Sequence, residues 1–383
     1  MGFYVCRCCV VCLVWQRICS NEGCKGILES CNKKRKKNML WALFSTVLAI
    51  LTVRCILKQN KDMSLGDLVE VIRSAKATYL LLGALASALF VWFESIALQA
   101  ILRHTKCPHG GLQTLLYSAS DIYFSGITPS ATGGQPASAF FMMRNGISGG
   151  MATAVLILNL MMYTFSIVFL GIVSILLKPH AFLEFGIASK ILIGIGFVGL
   201  TLLSVIFFIL LKKEDLIFRP LSALITFLCN KRILKGKEHK LKRMAKIRED
   251  YARCSALISG RKRILFGAFF WNLVQRACQM TVPMLVYAAL GGQAGKMLMV
   301  YAKQCLVTIG YNFIPVPGGM GVADYLMIDG FSSIMGEQLA FSVELISRGL
   351  MFYICVAASG VLTLVGYVWS GQRQKKQLVK SSS

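Results

Sequence analysis

Four polar residues recur within one apolar segment of the chain at the spacing of a single helical face. They stand at i, i+3, i+4 and i+7, and they are Asn272, Gln275, Arg276 and Gln279. Arg276 lies near the middle of the segment, too deep for its guanidinium to reach either end easily. Glu94, near the centre of another apolar segment, is the natural candidate to neutralise it. The pattern therefore predicts that Glu94 and Arg276 face a shared polar interior.

Two further apolar regions, 112–147 and 296–335, are interrupted near their middles by proline and glycine. In each, a tyrosine precedes a proline by six residues and a Gly-Gly pair follows. Proline ends a helix and glycine lets the chain reverse, so both regions predict broken helices. The helix that restarts after a break directs free N–H groups at its tip, which suits a phosphate or carboxylate. The candidate residues at the two tips are Thr128, Pro129, Gly133, Gly134, Gln135, Pro315, Pro317, Gly318, Gly319 and Asp324.

The composition identifies the environment of these segments. Of 383 residues, 56% are hydrophobic and 15% charged, too little polar surface for a water-soluble domain of this size. Apolar runs of about twenty residues match the thickness of a bilayer. We therefore predict an all-α, polytopic helical membrane protein with six full spans, at about 39–57, 78–102, 151–177, 186–211, 264–290 and 339–369.

The basic residues predict the orientation. The net charge of +25 could suggest a nucleic-acid partner, but lysine and arginine cluster in loops between apolar runs, where they set topology and contact anionic headgroups. Placing the basic clusters at 33–37, 212–263 and 373–380 in the cytoplasm requires an even number of spans and puts both termini there. The interrupted regions then become re-entrant hairpins from opposite faces, a pseudo-inverted arrangement typical of transporters. The alternative is two tightly packed, kinked helices.

This reasoning divides the chain into five parts. They are a cysteine-rich, basic extension (1–38), a first membrane half (39–211), a basic linker (212–263), a second membrane half (264–370) and a basic tail (371–383). The linker is predicted to be a surface helix on anionic lipid. No cofactor, metal site or nucleic-acid partner is expected. Second-rank candidates near the tips are Asp121, Arg144 and Lys303, whereas Glu344 and Arg348 are interpreted as a local helix pair.

The two tips carry a family resemblance. Residues 127–136 (ITPSATGGQP), followed by Arg144-Asn-Gly, and residues 315–324 (PVPGGMGVAD) resemble the two signatures of the flippase-like transmembrane region of bacterial lysylphosphatidylglycerol synthases. The resemblance covers about 40–369, with Gln135 and Asp324 standing where many relatives carry glutamate. It implies a membrane part that moves aminoacylated phosphatidylglycerol between leaflets. In full-length members, a separate soluble domain transfers lysine from lysyl-tRNA to that lipid. This chain is expected to be the membrane module alone.

Three functions remain open at this point. The first is translocation of an anionic or aminoacylated phospholipid in a bacterial plasma membrane, with Glu94 and Arg276 either paired or separated by the headgroup. The second is phosphatidylglycerol lysyltransferase activity, alone or with a separate synthase domain. The third is a non-catalytic membrane scaffold for an envelope transferase.

Overall fold

A computed structural model describes residues 73–105, 110–128, 133–230, 237–314, 316–319 and 321–381. Within these ranges the chain is helical and contains no strand, which confirms the all-α prediction. The cysteine-rich extension and the first predicted span, 39–57, lie outside the described residues.

The described helices are numbered here in chain order. They are α1 Ala77–Leu102, α2 Gly111–Ile127, α3 Gly134–Arg144, α4 Gly149–Leu177, α5 His180–Leu183, α6 Ile187–Lys212, α7 Asp215–Asn230, α8 Lys237–Ser259, α9 Lys262–Ala289, α10 Met297–Asn312, α11 Val322–Met335, α12 Glu337–Arg348 and α13 Cys355–Ser381.

Four helical stretches of the described chain are long and apolar enough to cross a bilayer: α1, α4, α6 and Glu337–Val368. They coincide with four of the predicted spans. The predicted fifth span corresponds to α9, whose 28 residues reach about 42 Å at 1.5 Å per residue. This helix is more polar than the other four because it carries the Arg276 face. The total number of spans stays a prediction.

Both interrupted regions form pairs of helices joined by a break. In hairpin 1, α2 packs against α3 across residues 128–133, and in hairpin 2, α10 packs against α11 across residues 313–321. Breaks therefore fall where proline and glycine predict them. The membrane face from which each hairpin enters stays a prediction.

The hairpins are held within a bundle of the longer helices. Helix α1 packs extensively along α9, α4 lies against α6 and α9, and α13 covers α2. Small residues permit the closest approaches. A Cβ atom on Gly196 would overlap the carbonyl oxygen of Ile309, and one on Gly199 would lie 2.6 Å from the Phe313 ring, so α6 fits tightly against hairpin 2.

The linker forms two helices, α7 and α8, and the second of them packs against protein. Tyr251 of α8 is fully buried, and its hydroxyl donates a hydrogen bond of 2.8 Å to the carbonyl oxygen of Leu210. Burial also raises the pKa of this phenol. A side chain at Gly150 of α4 would collide with the Ile247 carbonyl. The linker thus forms two helices where the sequence predicted one surface helix, and α8 packs on α4 through one of its faces. Contact of the linker with anionic lipid stays a prediction.

The last long span changes its winding part-way along. Directly after Arg348, residues Gly349–Ile354 form a π-helical segment, and α13 then continues as an α-helix. Such wide turns within α-helices are often found at functional sites.

Candidate functional site

A cavity of about 550 Å³ lies among α1, α4, α6, α9 and the two hairpins. Its volume falls within the range of about 300–1,000 Å³ that is usual for small-ligand sites. The lining combines apolar side chains with polar groups from both halves of the chain. The polar lining residues include Glu94, Asp121, Ser125, Gln135, Asn159, Tyr163, Arg276, Gln279, Gln304, Tyr311, Asn312 and Arg348.

Two buried carboxyl groups occupy one part of the lining. Glu94 and Asp121 are each 7% exposed, and they lie close enough to interact electrostatically with each other. Glu94 accepts a hydrogen bond of 3.2 Å from the Gln275 amide. Asp121 accepts one of 2.8 Å from the Gln135 amide and one of 3.2 Å from the Ser125 hydroxyl. The carboxyl groups are thus fixed by neutral donors.

Arg276 faces the same cavity but is held by aromatic rings. Its guanidinium carbon lies 3.6 Å from the centroid of the Tyr163 ring and 5.1 Å from that of Phe90, a cation–π arrangement. The guanidinium also donates a hydrogen bond to Gln279, while its Nε atom has no partner among the described residues. Of the two arrangements that the sequence leaves open, direct pairing with Glu94 is not found in the described part of the chain.

The first break is closed by a threonine and two glycines. The Thr128 hydroxyl donates a hydrogen bond of 2.6 Å to the Phe124 carbonyl and accepts one of 2.9 Å from the Gly133 amide, so it joins the end of α2 to the start of α3. A side chain at Gly134 would overlap Asp121. These residues place the Gln135 amide within hydrogen-bond distance of the Asp121 carboxylate. Pro129 lies outside the described residues.

The second break is built from glycines in left-handed conformations. Gly318, Gly319 and Gly321 have φ values of 59°, 66° and 78°, which favour glycine over any other residue. A Cβ atom on Gly319 would also lie 2.5 Å from the Tyr311 ring. Gly318 and Gly319 line the cavity. Pro315 is outside the described residues, and only the backbone of Pro317 is described.

Arg348 connects α12 to this second break. Its Nε atom lies 2.7 Å from a carboxylate oxygen of Asp324 and 3.8 Å from one of Glu344. Its guanidinium also donates a hydrogen bond of 2.8 Å to the Gly318 carbonyl. Asp324 in turn accepts a hydrogen bond of 2.8 Å from the Gly321 amide at the start of α11. The predicted local pair exists, but the interpretation that it is only local is wrong.

The comparison with known families agrees with this arrangement. The model of the lysylphosphatidylglycerol synthase TM region family matches residues 38–359, which include both breaks, the whole of α1, α4 and α6, and most of the stretch Glu337–Val368. The chain belongs to this family. It is therefore a multi-pass membrane protein, as the apolar helices indicate. No curated protein matches the chain.

Other predicted residues of this family member lie behind the cavity wall or away from it. Asn272 is fully buried and donates a hydrogen bond of 3.0 Å to Asn159, which lines the cavity. Arg144 stacks 4.4 Å from the Tyr367 ring centroid. Lys303 forms an ion pair of 2.6 Å with Glu184 and donates a hydrogen bond of 2.8 Å to the Gly330 carbonyl.

Sequence reasoning missed part of the polar lining that this family member presents. Gln304, Tyr311 and Asn312 of hairpin 2 face the cavity, as do Asn159 and Tyr163 of α4. A signal was present in both cases. Gln304 lies seven and eight residues before Tyr311 and Asn312, and Asn159 lies four before Tyr163, which is the spacing of one helical face.

Proposed function

We propose that the chain translocates the headgroup of an aminoacylated phospholipid, such as lysylphosphatidylglycerol, through the central cavity while the acyl chains stay in the bilayer. The observation that carries this proposal is the convergence of both helix breaks and of opposite buried charges on one cavity. Family membership supports a role in handling this class of lipid.

The charges of the cavity suit the two ends of such a headgroup. Arg276 offers an incompletely hydrogen-bonded guanidinium, whose planar donors match a phosphate oxygen. Glu94 and Asp121 offer carboxylate oxygens that match an ammonium group. A headgroup that carries both a phosphate and ammonium groups would thus exchange its water shell for fixed partners of opposite charge.

The breaks supply the irregular backbone that such a path requires. Backbone groups outside regular helices are tolerated at membrane depth only where protein or a polar cavity satisfies them. Gly318 and Gly319 place this irregular backbone on the cavity surface. The absence of a side chain at these positions lets the Phe352 and Tyr311 rings pack directly on this backbone, which fixes the break at the cavity.

The proposal is tested in proteoliposomes that contain a trace of lysylphosphatidylglycerol. A membrane-impermeant amine reagent labels only the lysyl groups of the outer leaflet, so further labelling over time reports movement between leaflets. We expect movement well above that in protein-free vesicles, and strong reduction by Arg276→Gln. Glu249→Gln, on the exposed face of α8, is a control that leaves the cavity intact.

A leaflet distribution that stays the same with and without protein would rule out translocation. Accumulation of lysylphosphatidylglycerol in a host that lacks this lipid, on expression of the chain alone, would instead favour the lysyltransferase alternative. Co-purification of an envelope transferase in the absence of lipid movement would favour the scaffold alternative.

A further inference from the structure

The charges that line the cavity do not balance. Glu94 and Asp121 can carry two negative charges, and Arg276 supplies one positive charge beside them. The Arg348 guanidinium also reaches the cavity, but it is held by Asp324 and Glu344. If both cavity carboxyl groups were ionised, one buried negative charge would stay uncompensated, which is costly at membrane depth.

The neighbours of the two carboxyl groups do not remove this imbalance. Gln275, Gln135 and Ser125, which hydrogen-bond to them, are all neutral donors. No lysine, histidine or further carboxylate lines the cavity within the described residues. The remaining titratable or charged groups that line it are Tyr163 of α4, Tyr311 of α10, Arg348 of α12 and Cys355 of α13.

Two species can neutralise the extra charge in turn: a proton and the ammonium group of a bound headgroup. We infer that Glu94 and Asp121 form a proton-binding pair that releases one proton when a cationic headgroup binds, so that lipid movement is coupled to counter-movement of a proton. This inference rests on the proposed function and adds its driving force.

The cycle balances in charge. The headgroup of lysylphosphatidylglycerol carries two ammonium groups and one phosphate, and thus a single net positive charge. Its arrival displaces one proton from the carboxyl pair to the compartment that the headgroup leaves. Its departure on the other side lets one proton return from the compartment that the headgroup reaches. One cationic lipid and one proton therefore exchange sides without net charge transfer.

The experiment imposes a pH gradient across the proteoliposomes used above, with a pH-sensitive dye in the lumen. For exchange of one proton for one singly charged lipid, a gradient of one pH unit drives the lipid to about a tenfold excess in the leaflet that faces the acidic lumen. The dye reports alkalinisation of the lumen as the lipid moves. Protein-free vesicles give the distribution set by the lipid alone.

Two variants and one control assign the effect to the carboxyl pair. Glu94→Gln and Asp121→Asn keep the size and shape of the side chains and one acceptor oxygen each, but they cannot bind and release a proton. We expect each to abolish the gradient-driven excess and the dye response, while the Glu249→Gln control retains both. Size-exclusion profiles in detergent show that each variant is folded before it is reconstituted.

The outcomes separate this inference from the function on which it rests. Protein-dependent lipid movement that ignores the gradient and leaves lumenal pH unchanged would overturn proton counter-movement alone. A tenfold excess that persists in both carboxyl variants would assign the proton to another group and overturn the role of this pair. Lack of any protein-dependent movement would remove both proposals.

Discussion

Arg348 donates a hydrogen bond of 2.8 Å to the carbonyl oxygen of Gly318 and thereby ties α12 to the break in hairpin 2. The same guanidinium neutralises Asp324, which caps the first turn of α11. The Arg348 side chain thus holds together the end of α12, the break in hairpin 2 and the start of α11. The second break owes its shape to this contact as well as to its glycines.

Removal of this guanidinium is expected to destabilise the protein. Arg348→Gln removes the hydrogen bond to the Gly318 carbonyl and the 2.7 Å contact with the Asp324 carboxylate, and the loss of hydrogen bonds that involve a charged group costs about 1.5–3 kcal/mol. Denaturing-detergent titration measures the change in the free energy of unfolding. Arg253→Gln, in an exposed i,i+4 pair, is the matched control and should cost less than about 1 kcal/mol. Equal effects of the two substitutions would contradict the role of Arg348.

Gly134 is expected to tolerate no side chain. In Gly134→Ala, the new methyl group would overlap Asp121 and Ser125 and would force α2 and α3 apart, at a cost of about 1–3 kcal/mol. Gly194→Ala makes the same change where no atom lies within 4 Å, and should be neutral or stabilise α6 by about 0.5–1 kcal/mol. Thermal unfolding in detergent compares the two. A Gly134→Ala variant as stable as the unsubstituted protein would show that hairpin 1 is packed differently.

The Gln304 side chain is expected to lower the stability of the protein while it supports lipid movement. Its side chain is fully buried, and neither polar atom of its amide has a partner among the described residues. Gln304→Leu should therefore raise the free energy of unfolding by about 1–2 kcal/mol, because a buried unsatisfied amide is removed. The same variant should slow lipid movement in the leaflet assay, because the cavity loses a polar contact. Gln338→Leu, at an exposed position of α12, is the control and should change neither property.

The ion pair between Glu184 and Lys303 predicts a dependence of stability on pH. Burial would raise the pKa of Glu184, but the hydrogen bond and charge of Lys303 outweigh burial and lower this pKa from its ordinary value. The stabilising contribution is therefore present above the ordinary pKa of about 4.3 and is lost as pH falls through the lowered value. Glu184 is partly exposed, so we expect a modest effect.

Thermal unfolding between pH 7 and pH 3 measures this dependence. The difference in melting temperature between the unsubstituted protein and Glu184→Gln should be largest near neutral pH and should shrink as pH falls below about 4.3. A difference that is constant over this range would mean that the ion pair does not contribute. Glu249→Gln, which removes an exposed carboxylate, gives the background change.

The sequence was sufficient for those features that depend on local spacing. Apolar runs predicted α1, α4 and α6, and proline with glycine predicted both hairpins. The polar face of α9 led to Arg276 and, through the need for a counter-charge, to Glu94; the structure places both on the cavity. Each of these predictions depends either on the spacing of residues within one helix or on the need of a buried charge for a partner of opposite charge.

Features that depend on tertiary contact were not predictable in the same way. The pattern of α12 explains the pair of Arg348 with Glu344, but the contact of Arg348 with Gly318 depends on how hairpin 2 lies against α12. Likewise, Lys303 flanks a predicted tip, yet its charge is used by Glu184, which is more than a hundred residues away in sequence. The packing of α8 on α4 also had no periodic signal, because the buried contact at Gly150 involves backbone atoms of Ile247.

The π-helical segment Gly349–Ile354 limits how the helical stretch Glu337–Val368 can change in length. A π turn contains about one residue more than an α turn, so the side chains beyond it are rotated by about 100° relative to an unbroken α-helix. Deletion of one residue there would restore a continuous α-helix. The helix face that carries Arg348 would then be rotated relative to α13. The number of residues in this segment therefore determines which face of α13 points into the bundle. Natural variants should accept substitutions in the segment more readily than insertions or deletions.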